Sequence, residues 1–214
     1  MSIILEILED LYPNPTTALT HSNSYELLVA TILSAQCTDE RVNMITPALF
    51  AAFPTPHALA QASFEEVAPY IKSAGLWQTK TRNLIRTAQL LVTEHDGEVP
   101  RTREELESLP GVGRKTASVV LANAFGIPAI AVDTHVFRVA NRLGLAKASN
   151  TYQTELQLME VIPQDKWIDA HHWLILHGRA LCKARRPECE SCPLQSYCAY
   201  AQRNSPDKNQ DHDS

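Results

Sequence analysis

No apolar run in the 214 residues is long enough to cross a membrane; "SVVLANAF" is typical of the longest. Strand-type alternation of apolar and polar residues is missing over more than a few positions, which excludes a sheet-based core. No repeat of solenoid period is visible, and composition marks no linker. A basic leader is missing too. "MSIILEILEDLYP" carries Glu6, Glu9 and Asp10, with Ile3, Ile4, Ile7, Leu8 and Leu11 at helical spacing, and reads as an amphipathic helix of an intracellular protein. Nor is there an excess of positive charge: the net value is −5. "SPDKNQDHDS" (205–214) adds to the deficit, with three aspartates against one lysine and no hydrophobic residue, and residues 203–214 are expected to be a disordered tail. Cysteine is scarce and odd in number, five in all, which fits a reducing compartment better than a disulfide framework.

Helical signals fill what remains. "SYELLVATILSAQ" follows Asn23 and Ser24, which can cap it. Ser63 with Glu66 and Thr102 with Glu105 have capping-box spacing, while Gly126 and Gly144 stop the helices before them. The sequence predicts an all-α protein of about ten short helices. Positive charge is concentrated in two runs without acids, Lys80, Arg82 and Arg86, and Arg179, Lys183, Arg185 and Arg186; each can be a solvated face or a binding surface.

"LPGVGRKTA" (109–117) lies between two such helices and predicts a helix-hairpin-helix. Gly111 and Gly113 would permit positive φ and leave no Cβ in a ligand's way, so that N–H groups at the second helix's start can meet a phosphate. Lys115 stands in the first turn, at the positive end of the dipole. That position, with desolvation, biases the ammonium towards a nucleophilic amine; contact with phosphate or solvent is the alternative. Asp133, 18 residues on, reads as a helix cap that also presents a carboxylate in a fixed place.

"CKARRPECESCPLQSYC" spaces Cys182, Cys189, Cys192 and Cys198 as Cys-x6-Cys-x2-Cys-x5-Cys. Structural zinc usually shows two short pairs, and here there is one. Four close thiols with Pro193 after the third suit a cubane iron–sulfur cluster, with zinc the alternative. Cys37 reads as a plain buried thiol. His171, His172 and His177 do not share a face, since neighbours diverge by about 100° on a helix, and are read as packing and hydrogen-bonding residues.

Taken together, "LLVATILSAQ", "LPGVGRKTA", "IAVDTHVFRV", "HHWLILHGR" and the four-cysteine spacing resemble the endonuclease III family, DNA glycosylase/lyases for oxidised pyrimidines. The resemblance implies two helical lobes. Residues 17–127 would form a six-helix barrel lobe with the hairpin at about 102–126. Residues 1–16 with 128–202 would form an iron–sulfur lobe, and DNA would lie across the cleft between them. It implies Lys115 as the nucleophile at C1′ of the damaged nucleotide, Asp133 as its assisting carboxylate, and an imine followed by β-elimination. It further implies a [4Fe-4S] cluster on the four cysteines. Gly111, Gly113 and Arg114 of the hairpin, Gln36 and Leu76 as wedges, and Lys183, Arg185 and Arg186 would contact the DNA. Gln36 and Leu76 would otherwise read as a helix-end polar residue and a half-buried core leucine. Expected partners are duplex DNA with damaged pyrimidines or abasic sites, and no membrane. The expected state is a cytoplasmic monomer, nucleoid-associated if bacterial. A mismatch glycosylase that removes adenine would lack the lysine and carry a further domain, and a non-enzymatic DNA-binding or redox-sensing module would not need Lys115 and Asp133 together.

Overall fold

In a computed structural model of the chain, residues 2–204 are described, and the expected disordered tail lies outside them from residue 205 onward. Twelve α-helices and two short 3-10 helices occur among the described residues, against about ten helices expected. The chain opens with α1 (Ser2–Leu11). There follow α2 (Ser24–Ser34), α3 (Asp39–Ala52), α4 (Pro56–Ala60), α5 (Phe64–Ile71), α6 (Trp77–Glu94), α7 (Arg103–Ser108) and α8 (Arg114–Phe125). The last four are α9 (Thr134–Leu143), α10 (Thr151–Val161), α11 (Trp167–Ala180) and α12 (Ala199–Arg203). Arg203 closes α12, so the expected tail starts too early by that residue: its Nε donates to the Ala199 carbonyl at 3.0 Å and extends the last turn.

Contacts divide the described chain into two units, Thr17–Ala129 and the segments on either side of it. The division falls two residues later than the 127/128 boundary read from sequence, after Pro128 and Ala129. α8 ends at Phe125, with Gly126 as its left-handed C-cap. Thr17–Ala129 holds seven α-helices where six were expected, α4 being little more than one turn. Its centre is α2, in which Tyr25 and every residue from Leu27 to Leu33 are buried and which packs against α3, α6 and α8. A helix apolar all round needs such a central position. Truncating a fully buried leucine there, such as Leu28, costs about 2–5 kcal/mol by the lost burial and the cavity left.

The other unit is built on α9, which packs against α10, α11 and α12, while α1 lies on α11. Trp173 is its largest fully buried side chain, and its indole N–H donates to the Tyr12 carbonyl at 3.1 Å. The three histidines of α11 are buried. His171 Nδ1 lies 2.7 Å from the Ala131 carbonyl, and His177 Nδ1 lies 3.2 Å from the Tyr12 hydroxyl.

Capping is mostly as the sequence indicates. Asn23, Thr38, Thr55, Asp133 and Asn150 each accept a backbone N–H from the first turn of the following helix. Ser63 and Glu66 form a full capping box. At both Ser63 and Thr102 the hydroxyl donates to the glutamate carboxylate while accepting that glutamate's N–H, and at Ser63 the backbone N–H also donates to the carboxylate, at 2.7 Å.

Burial holds His172 neutral, its pKa pulled down from 6.5 to about 4. The unfolded chain therefore binds more protons between those values, so this contribution to stability is complete above pH 6.5 and is lost as pH falls towards 4. Denaturant unfolding of His172→Gln at a series of pH values is expected to flatten that slope by about 1–3 kcal/mol in total. An unaltered slope would remove His172 as its source.

Candidate functional site

Leu109 to Val112 form a tight turn between α7 and α8, closed by the Val112 N–H donating to the Leu109 carbonyl at 3.0 Å. Pro110 occupies its second position and Gly111, at φ +83, its third, the type II arrangement that needs glycine there. A Cβ on Gly111 would also lie 2.9 Å from Asn83 Nδ2. The Thr87 hydroxyl donates to the Pro110 carbonyl at 3.0 Å and ties the turn to α6. Gly113 corrects the sequence reading: its φ of −101 is ordinary extended backbone, because it is the N-cap of α8 and not a turn residue. It leaves open space where a side chain would stand.

Unlike α7 and α9, α8 starts with no side-chain cap, and unlike α7 it has no acid in its first turn. Its start therefore presents the positive end of the dipole without a capping side chain or an acid against it. Arg114 and Lys115 are the first two residues of this helix, half-buried and exposed respectively. Desolvation of Lys115, expected from sequence, is not found, because the start of α8 is at the surface.

Asp133 sits at the N-cap of α9 at the end of a buried extended segment, Ile130–Val132. Its Oδ1 accepts the Val136 N–H at 2.8 Å. The carboxylate is thus fixed by one oxygen and half-buried.

Two arginines that sequence reasoning missed organise the cysteine segment. Arg138 Nε donates to the Cys182 carbonyl at 3.0 Å and Nη2 to the Gly178 carbonyl at 3.0 Å. One turn on, Arg142 donates to the Lys183 carbonyl at 2.7 Å, to the Ala184 carbonyl at 3.1 Å and to Cys182 Sγ at 3.5 Å, with its guanidinium over the Tyr200 ring. Their spacing of four on "DTHVFRVANRLG" puts both on one side of α9, but no sequence signal names their partners.

Burial and the neighbouring Cys198 and Cys182 sulfurs raise the Cys189 thiol above its ordinary range. Cys192 is raised in the same way, by burial first and then by the other three sulfurs. All four cysteines therefore share one electrostatic environment, in which four thiolates need a cationic core to stay together. Among the described residues no group of three His, Cys, Asp or Glu is placed to hold a single metal ion. Four cysteine thiols in one segment are the donor set that an iron–sulfur core takes. Of the loop cations, Lys183 is paired with Glu188, while Arg185 and Arg186 are exposed and Arg186 has φ +53.

Gln36 and Leu76 are both exposed and both left-handed, at φ +54 and +58. The sequence alternatives for them fail: α2 ends at Ser34, so Gln36 is outside the helix, and Leu76 is 58% exposed, not half-buried. Cys37 is half-buried instead of buried. Lys80 leaves its predicted charged face altogether, being 4% exposed, with its ammonium on the Leu33 and Ala35 carbonyls.

Residues 29–164 match the HhH-GPD superfamily of base excision DNA repair proteins, and residues 182–198 match the iron–sulfur binding domain of endonuclease III. Endonuclease III of Escherichia coli (strain K12) is 50% identical over 200 residues, 94% of this chain and 95% of that protein. Endonuclease III of Synechocystis sp. is 51% identical, over 93% of this chain and 91% of its own length. A solved structure of a trapped endonuclease III–DNA covalent intermediate matches at a TM-score of 0.89 and 45% identity, over 94% of this chain and 95% of that one. A thermostable thymine-DNA glycosylase, 24% identical with a TM-score of 0.82, shares the fold. With a hairpin that leaves a helix start uncapped, a lysine on that start and a four-cysteine segment, the chain belongs to the endonuclease III family of base excision repair enzymes, DNA glycosylases and abasic-site lyases that carry a [4Fe-4S] cluster.

Proposed function

We propose that the chain, acting as a monomer in the cytoplasm or on the nucleoid, removes oxidised pyrimidines from duplex DNA and cuts the strand at the abasic site, with Lys115 as the nucleophile. The observation that carries this reading is Lys115 exposed on the first turn of α8, where no side chain caps the helix. A phosphate drawn to the positive end of that helix would bring the sugar to the lysine. Gly111 holds the turn that sets the helix start, Gly113 leaves room for the backbone, and Arg114 adds a cation. Base and sugar must first leave the stack, which costs about a few kcal/mol. Gln36 and Leu76, exposed at strained positions, are suited to filling the gap.

In the reaction the neutral Lys115 amine attacks C1′ while the bond from C1′ to the base breaks and the base leaves with a proton. Loss of the amine proton and opening of the sugar ring, with O4′ becoming a hydroxyl, give an imine. The imine acidifies the C2′ proton, and its removal expels the 3′ phosphate. Asp133 stabilises the positive charge that develops on the sugar. Cys182, Cys189, Cys192 and Cys198 would hold the cluster, whose contribution is structural: it closes the loop that presents Arg185 and Arg186 to the DNA backbone.

Borohydride is expected to trap the protein covalently on duplex DNA bearing an abasic site, and Lys115→Gln to abolish the adduct; no adduct with the native chain would overturn the assignment. Asp133→Asn keeps a capping oxygen, so its melting temperature should hold while trapping falls by about 10²-fold; equal loss of stability and rate would reduce Asp133 to a cap. For Arg185→Ala with Arg186→Ala, the slope of log affinity against log salt should become shallower by about 0.9 per lost phosphate contact. An unchanged slope would place the DNA elsewhere.

A further inference from the structure

Lys80 is 4% exposed, and its ammonium is held by carbonyls: Nζ donates to the Leu33 carbonyl at 2.8 Å and to the Ala35 carbonyl at 2.6 Å. Burying a cation against neutral acceptors is costly, and burial pulls the Lys80 pKa down, partly offset by the neighbouring Cys37. A methionine of similar length would fill the same space without that cost. The charge therefore needs a purpose, and the acceptors indicate one.

Ser34 to Cys37 form a turn closed by the Cys37 N–H on the Ser34 carbonyl at 3.1 Å. Ala35 has φ −59 and ψ 116, and Gln36 has φ +54, which is the type II arrangement. The hairpin turn puts glycine at that third position, whereas here a glutamine occupies it at a strained φ. Type II differs from the unstrained type I by a flip of the central peptide, whose oxygen is the Ala35 carbonyl. That oxygen is the one Lys80 holds. The backbone of the same lysine donates to the Leu76 carbonyl at 3.0 Å, at the start of α6. Gly75 completes the junction, since a Cβ there would lie 2.8 Å from the Gln36 carbonyl.

We propose that Lys80 is a positioning residue for the nucleotide gap: by holding the central peptide of the Ser34–Cys37 turn it keeps Gln36 left-handed and locks it in register with Leu76. This rests on the reading of Gln36 and Leu76 as the residues that enter the duplex. When Lys80 loses its charge the peptide flips, Gln36 relaxes to negative φ, and the pair no longer presents one surface.

The test uses the full chain with its cluster and compares cleavage of an abasic site in duplex DNA, where the gap must be filled, with cleavage in a single-stranded oligonucleotide, where there is none. Lys80→Met is expected to lose about tenfold more activity on the duplex than on the single strand, the scale of the released strain. Adding Gln36→Ala to Lys80→Met should then cost less than about twofold, because two residues acting through one contact are not additive. Equal loss on both substrates, or additive losses, would overturn the proposal. If Gln36→Ala and Leu76→Ala both cleave duplex at the native rate, the gap-filling reading itself fails; if they are impaired and Lys80→Met is not, only the role of Lys80 fails. Should Lys80→Met not fold, as judged by cooperative melting and visible cluster absorption, Gly75→Ala replaces it. That variant keeps the buried charge and presses on the Gln36 carbonyl. It should give the same duplex-selective loss, and its absence would equally overturn the proposal.

Discussion

An α-helix leaves its first N–H groups and its last carbonyls without partners, and how those groups are satisfied organises the candidate functional residues. At the start of α8 the N-cap is Gly113, which has no side chain to offer them, and Lys115 stands there. At the start of α9 the Asp133 carboxylate does so with one oxygen. At the end of α2 the Lys80 ammonium takes the last carbonyls, and Gln36 follows directly. Helix ends are suited to this because the geometry of a terminus is set by the rigid helix behind it. The proposed nucleophile, carboxylate and wedge each inherit that rigidity without needing a strand or a long loop to hold them.

The same logic governs the cysteine segment, which has little regular structure of its own. Between Cys182 and Cys198 the chain forms turns and one short 3-10 helix. Its order comes from Arg138 and Arg142, whose guanidinium groups take carbonyls at Gly178, Cys182, Lys183 and Ala184. Rigid, planar donors suit this work better than lysine would. The arginines also bring positive charge towards sulfurs that raise one another's pKa values, which favours keeping the site intact around a bound cluster.

Net charge misleads for this chain. Of the two basic runs, one loses Lys80 to the interior and the other has Lys183 paired with Glu188. Arg185 and Arg186 remain on the surface, and the uncapped start of α8 adds positive potential that no count of side chains includes. An acidic protein can therefore be a DNA enzyme, because affinity depends on where a few charges and dipoles stand and not on the sum.

The sequence by itself determined much of what is satisfied within three or four residues. The caps at Asn23, Ser63, Thr102 and Asp133, the glycine turn at Gly111 and the grouping of four cysteines were all legible, because donor, acceptor or ligand lies close along the chain. Even there, Gly113 was misjudged, since its dihedral depends on where the helix begins. Only the tertiary structure decided the rest. Lys80 meets carbonyls 45 and 47 residues away, and Arg138 and Arg142 meet a loop more than 40 residues on. Side chains of the same type look alike in the sequence until folding brings their distant acceptors into place, so a buried positioning cation and a solvated one could be told apart only there.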